Sequence, residues 1–127
     1  MYGYFLRDAR ERISIKRKLY IDMPTVEFEG ETFITDEEGF LEDLNNWNEA
    51  WAQYIKRAEG ITELTEDHWR VLSFLQDYYR KNGKSPRMGV LTRGTGFRLK
   101  YIYELFPSGP GKGACRMAGL PIPAGCI

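Results

Sequence analysis

Polar and apolar residues alternate through Thr25-Val26-Glu27-Phe28-Glu29 and, less strictly, through Glu31-Thr32-Phe33-Ile34, with Glu29-Gly30 between them. This predicts a β-hairpin whose inward residues include Val26, Phe28 and Phe33. A lone hairpin is marginal and has to pack on something else. Asp36-Glu37-Glu38-Gly39-Phe40 marks a second turn, and Phe40-Leu41-Glu42-Asp43-Leu44 predicts a short third strand. The period then lengthens. Trp47, Trp51, Tyr54, Ile55 and Ala58 fall on one face of a helix that Asn45 or Asn46 would cap and Gly60 would end.

Thr65 is placed to cap the next helix, with Glu66 and Asp67 in its first turn. Trp69, Val71, Leu72, Phe74, Leu75, Tyr78 and Tyr79 give it a wide apolar face up to Asn82-Gly83, so it is expected to be the central helix. Ser85-Pro86 starts a short helix, which Gly94-Thr95-Gly96 breaks, and Phe97 to Phe106 forms another with Leu99, Ile102, Tyr103 and Phe106 in line. After the Pro107-Ser108-Gly109-Pro110 turn, residues 110–118 suit a last short helix that carries Cys115 and stops at Gly119. Leu120 to Ile127, punctuated by Pro121, Pro123 and Gly125, reads as an extended, mobile arm with Cys126 near its tip. Residues 1–23 interleave basic and apolar residues without a clean period and are expected to be a loosely ordered extension. The resulting expectation is an α+β fold, a mainly helical array with a small N-terminal antiparallel β-meander and a flexible C-terminal arm. Its parts are the extension 1–23, the domain 24–118 and the arm 119–127.

Composition narrows the function. At 127 residues the chain suits one domain with a core that needs no staples. It has no run of apolar residues long enough to span a bilayer and no secretory signal at its start, so a cytoplasmic location is expected. In a reducing compartment its two cysteines would be free thiols, and any bond between them transient and redox-active. Formal charge is zero, but residues 24–67 carry thirteen acids against two bases, while 68–127 carry ten bases against two acids. Such a dipolar chain can present a basic docking face without binding polyanions in general; its oppositely charged halves could equally well just attract each other.

One histidine and two distant cysteines form no metal-ligand pattern, and no cofactor is implied; His68 is expected to be structural or solvent-facing. Ser108-Gly109-Pro110-Gly111-Lys112-Gly113 fails as a phosphate-binding loop, because Phe106 stands where the first glycine belongs and Gly113 where a hydroxyl residue belongs. Lys112 and Arg116 are instead cations one helical turn apart, flanking Cys115. Arg87, Arg93, Arg98 and Lys100, with Lys84, lie on two short helices with no acid among them. A helix-turn-helix on DNA is one reading of these, although the neutral net charge and the scarcity of groove-reading polar residues favour a protein-docking patch. Cys115 could be an inert core residue. Cys126, penultimate on a Pro/Gly arm, has little to bury it, and Lys112 or Arg116 would favour its thiolate once the arm folds back. Eleven residues separate the two thiols, roughly 36–40 Å when fully extended, so one arm allows both reach into a partner and return to Cys115.

Several segments carry a resemblance to a known family. They are Asp36-Glu37-Glu38-Gly39-Phe40-Leu41, Asn46-Trp47-Asn48, Leu64-Thr65-Glu66-Asp67-His68-Trp69, Phe74-Leu75-Gln76-Asp77-Tyr78-Tyr79, and Tyr103-Glu104-Leu105-Phe106-Pro107-Ser108-Gly109-Pro110-Gly111-Lys112-Gly113-Ala114-Cys115. Over about residues 24–127 the chain resembles the DsrC/TusE group of sulfur-relay proteins. The tRNA-thiolation branch usually keeps only the C-terminal cysteine, so the presence of Cys115 makes the chain more similar to the DsrC branch, partner of siroheme dissimilatory sulfite reductase.

That resemblance implies a sulfur carrier and not a stand-alone enzyme. Cys126 would enter the channel formed by the α and β subunits of the reductase and take up sulfur from a partly reduced sulfite intermediate. Cys115 would then attack to give a trisulfide or disulfide, and a membrane-bound heterodisulfide-reductase-like complex would release sulfide and restore both thiols. Other sulfur-relay proteins are further implied partners. The alternatives are a relay for tRNA thiolation, a helix-turn-helix DNA-binding regulator, and a structural subunit with inert cysteines. The chain departs from the family at Ile122 and Ala124, where a basic and a hydroxyl residue are usual, and at Gly89, where an arginine is common.

Overall fold

The computed structural model describes residues 24–122. Residues 1–23 and 123–127, and with them the expected extension and Cys126, lie outside the described residues.

Strands β1 (Thr25–Phe28) and β2 (Glu31–Ile34) pair antiparallel with Val26 opposite Phe33. Glu29 and Gly30 both adopt positive φ, 52° and 81°, as a two-residue turn matched to the strand twist requires. The hairpin finds its support on the first helix, where the Phe28 ring lies 5.7 Å from Tyr54 and Phe33 5.3 Å from Trp51. The third strand of the expected meander shrinks to one bridge, Thr35 with Leu41. Asp36 accounts for this. Its carboxylate accepts from the backbone N–H groups of Glu38 and Phe40, holding a tight turn, and the consecutive Phe40 and Leu41 both enter the core instead of alternating.

Helix α1 runs Glu49–Glu59 and is capped by Asn48, whose side chain accepts from the N–H groups of Ala50 and Trp51. Asn45 and Asn46, the expected caps, belong to a preceding 3-10 turn, Leu44–Asn46, that Asp43 caps. Trp51 and Ile55 are buried as expected, whereas Ala58 is exposed. Helix α2 (Glu66–Asn82) has a full capping box between Thr65 and His68, and it buries His68, Val71, Leu72 and Leu75.

Helix α3 begins at Met88, two residues after Pro86, and retains Gly94 and Thr95; the break comes at Gly96, φ 79°. Helix α4 spans Leu99–Leu105. Neither has a side-chain cap at its start, where Arg87 and Arg98 stand.

The chain then winds through a π-helical segment, Pro110–Cys115, directly into the short α5, Arg116–Ala118, which packs between α1 and α2. Gly119 ends it at φ 86°. Leu120, which the sequence pattern assigns to the arm, is fully buried in the core, while Pro121 and Ile122 are exposed; the rest of the expected arm lies outside the described residues. No helix among the described residues is long and apolar enough to cross a membrane.

Candidate functional site

Cys115 is the last residue of the π-helical segment and is fully buried, between Ala114 and Met117 of the same core. Burial pushes its thiol up to about 12, opposed only in part by the Ser85 hydroxyl nearby. A thiolate in a low-dielectric surround is costly, so the resting group is a neutral thiol. The two cations expected to flank it act elsewhere. Lys112 is exposed, and Arg116, half-buried, reaches toward the Gly39 turn with its Nε buried and unpartnered among the described residues. Neither contributes to the shift of the thiol.

The helix that carries Cys115 is held from both sides. An α-helix leaves its last carbonyls without intrahelical donors, and here three successive carbonyls each receive a side-chain N–H. Trp51 Nε1 donates to Arg116 O at 2.7 Å, Trp47 Nε1 to Met117 O at 2.8 Å, and Gln76 Nε2 to Ala118 O at 2.9 Å. Gly119 completes the clamp. A side chain there would have to adopt a left-handed backbone and place its Cβ 2.8 Å from Cδ1 of Trp47.

The upstream end is fixed by Glu59. Its carboxylate accepts from the Ser108 backbone N–H at 2.9 Å and from the Ser108 hydroxyl at 2.7 Å, tying the end of α1 to the turn before Pro110. The small residues between these ties permit close approach, since a Cβ on Gly113 would come within 2.9 Å of Phe106 Cβ.

His68 supports the same turn from α2. Its Nδ1 accepts from the Thr65 N–H at 3.0 Å, which leaves Nε2 to donate to Leu105 O at 2.9 Å, and its ring meets Phe106 edge-on at 5.1 Å. Burial lowers its pKa, with the Leu105 carbonyl and Asp67 acting in the opposite sense. His68 is therefore a structural neutral imidazole, and no group of three or more potential metal ligands forms among the described residues.

The four expected docking cations, Arg87, Arg93, Arg98 and Lys100, are all exposed, on α3, α4 and their N-cap positions. Trp47, Trp51, Gln76, Glu59 and Ser85 are the site residues that sequence reasoning missed. The one available signal was the indole N–H, which seeks a partner whenever the ring is buried.

The DsrC-like protein family matches residues 27–127. The gamma subunit of dissimilatory-type sulfite reductase from Nitratidesulfovibrio vulgaris is 52% identical over 105 residues, spanning 83% of this chain and 100% of that one. The sulfurtransferase TusE of Pectobacterium atrosepticum is 40% identical over 109 residues, 80% of this chain and 99% of the relative. A chain in the crystal structure of dissimilatory sulfite reductase I superposes with a TM-score of 0.78 at 54% identity, covering 82% of this chain and 100% of that one.

Proposed function

The chain belongs to the DsrC-like family, and on that premise we propose that it is a sulfur-carrier co-substrate of a siroheme dissimilatory sulfite reductase. Cys126 displaces water from a two-electron-reduced sulfite intermediate at the reductase and carries its sulfur as a Cys126–S–S–OH adduct. Cys115 attacks that outer sulfur and expels water, closing a trisulfide, or, where the adduct is already a persulfide, attacks the Cys126 sulfur and expels hydrosulfide, closing a disulfide. A membrane-bound heterodisulfide-reductase-like complex then supplies the electrons that return both thiols, four for a trisulfide, which releases its middle sulfur as sulfide, and two for a disulfide, whose sulfide has already left.

The observation that carries this reading is the way Cys115 is held. A cysteine that only filled space would not call for three side-chain donors on successive carbonyls and a carboxylate at the other end of its segment. A resolving thiol needs that fixed position, because exchange requires the attacking sulfur in line with the one attacked. Its protonated resting state fits a thiol that stays silent until the carrier is loaded.

Intact mass after incubation with a dissimilatory sulfite reductase, sulfite and a reductant tests this. Wild type gains sulfur mass, Cys126→Ala gains none, and Cys115→Ala gains sulfur without reaching the bridged form. Unchanged wild-type mass overturns the proposal. A relay for tRNA thiolation, favoured by the TusE similarity, would accept persulfide sulfur from an upstream donor equally well in Cys115→Ala.

A further inference from the structure

We propose that the open groove between α3 and α4 docks an acidic peptide segment of a protein partner, with Arg93 and Arg98 pairing its carboxylates and Phe97 and Leu99 receiving an apolar side chain. The groove is shallow and wide open, about 490 Å³, and is lined by Thr92, Arg93, Gly96, Phe97, Arg98 and Leu99.

Its shape is set before any partner arrives. Gly96 turns the chain in the left-handed region. The Thr95 hydroxyl donates to Leu91 O at 2.8 Å and accepts from the Phe97 N–H at 3.3 Å. Arg70 reaches across from α2 to Thr95 O and lies over the Phe97 ring, 5.7 Å from its centroid, while Tyr101 meets the same ring edge-on. A preformed groove binds without a large ordering cost.

Arg93, in the last turn of α3, complements that helix's dipole, whereas the cations at the helix starts do not. Arg98 occupies the N-cap position of α4 and Arg87 that of α3, yet neither makes a capping hydrogen bond. A positive charge there opposes the helix dipole, and Lys100 in the first turn of α4 adds to the same penalty. Arg93 and Arg98 form no ion pair with a carboxylate among the described residues, where the one ion pair is Arg80 with Asp77. No Asp or Glu occurs from Tyr78 through Tyr103, and across the fold the Asp67 carboxylate is engaged by the Tyr101 hydroxyl behind the Phe97 ring.

A peptide suits these features better than a nucleic acid. The floor is apolar, and the Phe97 ring is already engaged by Arg70 and Tyr101, so it presents van der Waals surface and not a free face for base stacking. The thirteen acids of residues 24–67 also disfavour a long polyanion, whereas a short acidic segment places only a few charges beside the two arginines. This docking role is independent of the sulfur chemistry assigned to Cys115 and Cys126.

The test is an NMR titration of the ¹⁵N-labelled full chain with a short synthetic peptide in which Asp and Glu flank a central Leu-Phe pair. We expect saturable shifts of the amides from Thr92 to Leu99. Binding should weaken roughly tenfold or more in Arg93→Glu/Arg98→Glu and stay unchanged in Lys81→Glu. Both sites are exposed, so circular dichroism should show both variants folded; Arg93→Gln serves as a milder second variant with a smaller loss. Absence of binding up to millimolar peptide, shifts centred elsewhere, or equal binding by the doubly reversed variant would overturn the proposal. So would tighter, steeply salt-dependent binding of a single-stranded oligonucleotide of equal charge to the same amides.

Discussion

The C-terminal end of α5 and the N-terminal ends of α3 and α4 are finished in opposite ways. At α5 every one of three successive carbonyls meets an indole or amide donor from a distant part of the chain. At α3 and α4 the helix starts carry arginines that cap nothing. The first region secures a buried reactive group in one position; the second leaves local helix stability unimproved and keeps charge at the surface. Rigidity is concentrated where a sulfur atom must be placed, and exposed charge where a surface must be offered.

The sharpest probe of this contrast is the thiol. In a Cys126→Ala background, Cys115 at pH 8 should hold roughly a thousandfold smaller thiolate fraction than an ordinary thiol, given a pKa near 12 in place of 9.0. Alkylation by iodoacetamide should therefore be very slow in buffer and rapid in urea; equal rates would break the contrast. The sign for stability follows. Below the unfolded pKa both states are protonated, and stability declines as pH rises from 9.0 toward 12, because only the unfolded thiol ionises in that window.

Next in size come the clamp donors. Trp47→Phe strands the Met117 carbonyl and should cost about 1–3 kcal/mol in urea unfolding, whereas Trp51→Phe should cost less through this bond, because Arg116 O keeps the Gly119 N–H at 3.1 Å. The pair should be non-additive, because the two carbonyls are adjacent.

His68, which links the start of α2 to the end of α4, should give a smaller effect. Its folded pKa is lowered, so its contribution is complete above about 6.5, the unfolded value, and is lost as pH falls through the lower folded value. Urea midpoints at pH 7 and pH 5 should differ in wild type, and His68→Gln should narrow that difference.

The smallest effect has the opposite sign. Arg98→Ser supplies a cap and removes an unfavourable charge at the start of α4, and it should stabilise by about 0.5–1 kcal/mol. Destabilisation by this change would mean that Arg98 supports the fold after all.

Much of the frame was legible from local pattern. The Glu29-Gly30 turn, the Thr65 cap and the stops at Gly60, Gly83 and Gly119 are dictated by neighbouring residues, and the structure has them where the pattern put them. The errors fall where several residues could do the same job or where distant parts decide. Asn45, Asn46 and Asn48 are equivalent as caps on paper, and the choice went to Asn48 because Asp43 closes a 3-10 turn around the other two. Leu120, followed by Pro121, looked like the start of an arm, but the core had room for its side chain. Trp47 and Trp51 were recognised as apolar, while their N–H groups act on carbonyls 70 and 65 residues away, which no local period encodes.

Those separations bear on how the protein is made. The ties on the Cys115 segment span 70, 65, 49 and 42 residues, joining the first helix and the central helix to the very end of the described chain. Contacts of such long sequence separation close late, since loop entropy must be overcome before they contribute. During synthesis the N-terminal partners emerge first and wait, and Cys115 gains its shelter only once the last turn has left the ribosome. A nascent or truncated chain thus presents as an ordinary reactive thiol the same sulfur that the finished protein keeps silent.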